Sequence, residues 1–160
     1  MEFEIDVSGT DIFEKDYTIC VANKDGIIKG FKMTPKFISV INSKFGQGIY
    51  RYHKSKNGRV LLKVRLYSIL IYFLFKSIKI NESITVVICR DFNGRETDIK
   101  SNLTYFFGLL CLKIERIVFC KLDKGSIADK YAYLMRKDIK NQLKTYINIS
   151  IKDVERYLKK

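Results

Sequence analysis

Polar and apolar residues alternate at the start of the chain. Glu2 to Asp6 reads E-F-E-I-D, the two-residue period of a strand with one buried face. Ser8-Gly9-Thr10-Asp11 reads as a turn. Tyr17 to Ala22 is β-branched and apolar and predicts a second strand. Asn23-Lys24-Asp25-Gly26 carries the Asp-Gly signal of a hairpin, and Ile27 to Met33 returns as a third strand. The first 33 residues therefore predict an antiparallel meander.

The period then lengthens. Thr34-Pro35 predicts a helix start, with threonine as cap and proline at the first position, where no N–H is needed. Phe37, Ile38, Ile41 and Phe45 follow at helical spacing until Gly46. Gly48 to Lys56 reads as a short strand or a basic loop, and Arg59 to Ile78 as a long helix buried on most sides. Ser83 to Cys89 is near-continuously apolar, as in a central strand covered on both faces. Asp98 to Leu110 predicts a helix, Ile114 to Leu122 a strand, Ser126 to Tyr146 a helix and Ser150 to Lys159 a last short one. The expected class is α/β: a mixed five-stranded sheet, three antiparallel strands plus two parallel ones, flanked by helices in a single domain over residues 1–160.

Charge adds a partner class. The chain carries 30 basic and 17 acidic residues, a net +13. Residues 1–25 hold seven acids and two bases, a net −5, which leaves 28 bases and ten acids, or +18, for the rest. A basic body attracts phosphate backbones, and an acidic knot within it suits a hard divalent cation. A lysine-rich solvated surface is the plainer reading of the same charge.

Other chemistries are disfavoured. Cys20, Cys89, Cys111 and Cys120 form no C-x-x-C pair, and His53 is the only histidine, which argues against tetrahedral zinc. His53 lies in a basic stretch, Tyr52-His53-Lys54-Ser55-Lys56, unsuited to a Ser-His-Asp site. No P-loop or dinucleotide glycine motif is present. The N-terminus lacks a signal-peptide pattern, and the longest apolar run, Leu66 to Phe75, is about half of a bilayer span. Reduced thiols suit the cytosol, so the expectation is a cytoplasmic protein with no membrane partner.

Three carboxylates stand at informative places. Asp6 lies inside the first strand, where an unpaired acid is costly to bury. Asp91 ends the central strand, where it could also begin a turn with Asn93-Gly94. Asp129 opens the helix after the last strand, where Ser126-x-x-Asp129 is also a capping-box-like pattern, repeated at Ser150-x-x-Asp153. Arg90 and Arg95 flank Asp91, and Lys124 and Lys130 flank Asp129. Tyr133, Lys137, Lys140 and Lys144 recur at helical spacing as a basic stripe, opposite a core-like stripe of Ile127, Tyr131 and Leu134. Tyr50-Arg51-Tyr52-His53-Lys54 interleaves aromatics and bases and is the best base-stacking candidate.

The order of elements, with these acids, resembles the ribonuclease H-like superfamily. Ile5-Asp6-Val7-Ser8-Gly9 is similar to the family's first-strand motif. Val87-Ile88-Cys89-Arg90-Asp91 resembles its central strand with a terminal acid, and Ser126-Ile127-Ala128-Asp129-Lys130-Tyr131-Ala132 resembles the N-x-x-A-D-x-L-A pattern. The resemblance implies that Asp6, Asp91 and Asp129 are catalytic and bind Mg2+ or Mn2+. It also implies a nuclease acting on RNA, DNA or their hybrid. Nucleic acid would be held by Ser8, Gly9, Arg90, Arg95, Lys124, Lys130 and Lys137. The chain departs from the pattern at Leu61, in Asn57-Gly58-Arg59-Val60-Leu61-Leu62, where the family's first helix carries a glutamate. Glu96 or Asp98 could substitute. The alternative is an inactive ribonuclease H-like module that binds nucleic acid or a protein partner.

Overall fold

A computed structural model describes residues 1–159. Strands β1 (Glu2–Ser8), β2 (Thr18–Asn23) and β3 (Ile28–Lys32) form the meander. β1 pairs antiparallel with β2 and β2 with β3, whereas β4 (Ile84–Cys89) lies parallel to β1 and β5 (Ile114–Cys120) parallel to β4. The order across the sheet is β3-β2-β1-β4-β5. The protein is thus α/β with the predicted mixed five-stranded sheet.

Strand alternation sorts the two faces. Phe3 and Ile5 of β1 and Ile84, Val86 and Ile88 of β4 join the main core. That core is completed by α1 (Pro35–Lys44), α2 (Lys56–Lys76), α3 (Glu96–Leu109) and α5 (Ile151–Leu158). Thr34 caps α1 and Ser55 caps α2, their side chains accepting from the Phe37 and Gly58 amides at 3.2 and 2.9 Å. Gly58 is required there, because a Cβ would run into the His53 backbone carbonyl. Among the described residues no helix is long and apolar enough to cross a membrane.

The other face carries α4 (Ile127–Lys137) alone, laid over β1, β2 and β3. Its contact is built from small groups: Cys20 and Ala22 below, Ala128 and Ala132 above, with Met135 beside them. Met135 packs so closely over Gly30 that a Cβ at Gly30 would overlap it. The buried stripe is therefore Ala128, Ala132 and Met135, and Leu134, expected in the core, is exposed. Small side chains let the helix approach the sheet, and apolarity alone did not reveal which stripe was narrow enough.

α4 also ends nine residues before the expected Tyr146. The Asp138 carboxylate accepts from the Gln142 and Leu143 amides at 3.1 and 3.0 Å and from the Tyr146 hydroxyl at 2.8 Å. Lys32 ties this turn to β3 by donating to the Asp138 carbonyl and the Asn141 side chain at 2.7 and 2.8 Å. The chain then lies along β3, with a parallel bridge between Gly30 and Tyr146. Lys140 and Lys144 consequently leave the helix, and the basic stripe stops at Lys137. Residues 48–55 prove to be loop with one bridge, Tyr50 to Lys159, and Lys56 already opens α2. Tyr50 is buried with its hydroxyl 3.0 Å from Glu155, so it is not a stacking surface for bases.

Candidate metal centre

The parallel pairing of β1 and β4 brings two acids to one edge. Ile5 is level with Ile88, so the next residues, Asp6 and Cys89, follow at the same height on neighbouring strands. Asp91 comes two residues past Cys89, where β4 has ended. One ligand atom from each of Asp6, Cys89 and Asp91 lies within 4.8 Å of the others. The third acid arrives from above. Ser126 caps α4 by accepting from the Asp129 amide at 3.1 Å, and packing of α4 onto β1 and β2 sets Asp129 beside Asp6, outside the Asp6–Cys89–Asp91 group.

Charge is costly in this cluster. Asp6 is 5% exposed. Burial pushes its pKa up to about 6; hydrogen bonds from the Val7 amide and the Cys89 thiol pull the other way, and the neighbouring Asp129 carboxyl raises it again. The Val7 amide donates to Asp6 Oδ1 at 2.7 Å. Asp91 is exposed at the surface, yet partial loss of solvent around its carboxyl and then the Asp6 charge push it up to about 7. Burial also lifts the Cys89 thiol to about 11. Among the described residues none of Asp6, Asp91 and Asp129 takes part in an ion pair. Clustered carboxylates without a counter-charge are a donor set that a divalent cation satisfies.

Beside Asp91 lies a cavity of about 260 Å3, walled by Val7, Gly9, Tyr17, Val60, Lys63 and Phe92. Leu61 is not part of its wall, and the residues that α2 turns toward Asp91 are Val60 and Lys63. Lys63 is held 2.5 Å from Asp11. Asp98 pairs with Arg95 at 3.5 Å, and neither it nor Glu96 belongs to the acid cluster.

The predicted nucleic-acid contacts are scattered. Ser8 ends β1 and Gly9 follows it, at φ +123° against the Tyr17 ring. Arg90 is exposed at the end of β4 and donates to the Phe119 carbonyl at 3.3 Å. Lys130 is exposed next to Asp129. Arg95 is engaged by Asn57 and Asp98. Lys124 lies in a different concavity, with Glu2, Glu4 and Lys24. Lys137 is eight residues along α4 from Asp129, roughly 12 Å away.

Two residues escaped the sequence reading. Cys89 was read only as a strand thiol; its signal was its place two residues before Asp91. Tyr67, on α2, is fully buried with a hydroxyl that has no hydrogen-bond partner among the described residues. Its ring lies 4.9 Å from that of Phe92, tilted by 51°, and only the fold brings it near Asp91. Comparison of the chain with protein-family models, with curated proteins and with solved structures finds no match.

Proposed function

We propose that the protein is a metal-dependent nuclease of ribonuclease H-like type, acting on phosphodiester bonds of RNA, DNA or an RNA–DNA hybrid. One observation carries the reading: carboxylates from a strand and from just past the end of its parallel neighbour meet within 4.8 Å, a third, at a helix start, neighbours the strand acid, and among the described residues none of the three is in an ion pair. The order of elements supports the reading: three antiparallel strands followed by two parallel ones, as the resemblance implies. Asp6, Asp91 and Asp129 would hold Mg2+ or Mn2+, and the cation would supply activation of water and stabilisation of charge at the scissile phosphate. Asp6, anchored by its own strand and the Val7 amide, orients the centre. Arg90 and Lys130, exposed on either side, attract the phosphate backbone.

The test is incubation with labelled hybrid, RNA and DNA in Mg2+ or Mn2+. Cleavage is expected and should vanish in Asp6→Asn; cleavage that survives this change removes the assignment. A second reading has its own observation. Leu61 stands where the resemblance places an acid, and the residues of α2 that line the cavity with Asp91 are Val60 and Lys63, so no acid of α2 lines it, which favours a module that binds nucleic acid without cutting it. Salt-dependent binding together with no heat on Mg2+ or Mn2+ titration would favour that version.

A further inference from the structure

We infer that an open groove between the end of α1 and the start of α2 seats the sugar–phosphate backbone of a single nucleic-acid strand, with Lys54, Lys56 and Arg59 on its phosphates. The inference rests on the nucleic-acid partner in the reading above and is independent of any bound cation.

The distribution of charge carries it first. Residues 26–81 hold twelve bases and no acid, whereas the remaining residues hold 18 bases and 17 acids. The net positive charge is therefore concentrated in β3, α1, α2 and the loops between them. A merely lysine-rich composition would spread its excess along the whole chain. Among the described residues, Lys44 and Lys63 are the only two of the twelve that take part in ion pairs.

The fold gathers three of the others in one place. The groove, of about 500 Å3, is walled by Asn42, Phe45, Lys54, Ser55, Lys56 and Arg59, and among the described residues no acid lines it. Lys54 and Lys56 are exposed, and Lys54 lies so close over Gly46 that a Cβ there would overlap its side chain. Arg59 is fixed from two sides. Its guanidinium donates to Asn42 Oδ1 at 3.0 Å and lies over the Phe13 ring, 4.8 Å from the centroid. The other N–H donors of the fork are left for a phosphate. Lys63, the next base along that side of α2, lines the cavity beside Asp91, so the groove adjoins the acids.

The wall favours a single strand over a duplex. The half-buried Phe45 ring offers an apolar surface to an unpaired base or a sugar, and a base inside a duplex has no free face to give it. Phe45 takes the part that Tyr50, being buried, cannot. Phosphate contacts beside an aromatic ring grip without reading sequence.

Fluorescence anisotropy of the full chain is the test, with labelled single-stranded RNA and DNA and the same strands in duplex, in chelator so that no cation contributes. Wild type should bind single strand more tightly than duplex, with a log–log salt slope at least as steep as about −2, the value for three phosphates on a single strand. Lys54→Gln with Lys56→Gln should reduce the slope by about 1.4 and weaken binding by at least about tenfold near 0.1 M salt, and adding Arg59→Gln should take away about 0.7 more. Lys79→Gln with Lys113→Gln removes the same charge from exposed positions beyond the far end of α2 and should leave the slope unchanged. Thermal melts show that each variant is folded. Equal slopes for wild type and the groove variants, or equal losses in the two double variants, overturn the groove. Tighter binding of duplex overturns the single strand, and poly-glutamate that competes as well per unit charge overturns nucleic acid as the occupant. Cleavage in Mg2+ or Mn2+ is scored separately. Groove-dependent binding by a chain that does not cut removes the nuclease reading and leaves this one, whereas cutting indifferent to the groove variants does the reverse.

Discussion

Asp6 of β1 and Asp91, just past the end of the neighbouring β4, present carboxyl oxygens within 4.8 Å of each other, and among the described residues neither takes part in an ion pair. Burial raises both toward the neutral form, the Asp129 carboxyl adds to the rise at Asp6, and the Asp6 charge adds to the rise at Asp91.

That raises a test by pH. Well below pH 4 both acids are protonated whether the chain is folded or not. As pH rises from about 4 to about 7 the unfolded chain releases these protons first, so the folded state binds more of them and stability falls. Asp6 alone accounts for up to about 3 kcal/mol of this fall. Urea melts in chelator between pH 4.5 and 7.5 should show the decline, and Asp6→Asn should flatten it.

On the far side of the core, Glu155 is buried with both carboxylate oxygens 2.8 Å from the Lys44 ammonium and one of them 3.0 Å from the Tyr50 hydroxyl. These contacts join α1, α5 and the loop before α2. Lys44→Met leaves the carboxylate buried with the phenol as its remaining partner. Because Lys44 is one-third exposed, the cost should be about 2 kcal/mol rather than the full buried-pair loss. Chemical denaturation of the two proteins at pH 7 measures it.

Gly58 lies in the first turn of α2, where helix propensity favours alanine by about 1 kcal/mol. The opposite outcome is expected. The His53 carbonyl occupies the space of the methyl group, and backbone cannot rotate aside as a side chain can. Gly58→Ala should lower stability by about 2 kcal/mol. At Gly30 the obstructing group is the flexible Met135 tip, so Gly30→Ala should cost less in the same melts.

Val60, not Leu61, faces Asp91 across the cavity. If a missing carboxylate limits the centre, Val60→Glu should tighten divalent-cation binding by about tenfold or more, and Leu61→Glu should not. Isothermal titration of the two variants decides between the aligned position and the facing one.

Much of this architecture is carried by local pattern. The alternation of Glu2 to Asp6, the Asp-Gly hairpin, the Thr34-Pro35 start and the continuous apolar run ending at Cys89 each act over a few residues, and their elements form where the pattern puts them. The expected extension of α4 failed for a non-local reason: Lys32 of β3 and the Asp138 carboxylate together hold a turn that helical spacing does not foresee.

The candidate centre divides the same way. Asp6 stood out in the sequence because an acid in an apolar strand must be compensated, and its strand position alone says that. Which groups do the compensating is a matter of register and packing depth. Parallel pairing levels Asp6 with Cys89, buried alanines bring Asp129 down onto β1, and the long α2 turns Val60, Lys63 and Tyr67 toward Asp91 in place of Leu61. Local preferences are summed over neighbours in the chain, whereas ligand geometry depends on distances between segments that meet only once the core has closed.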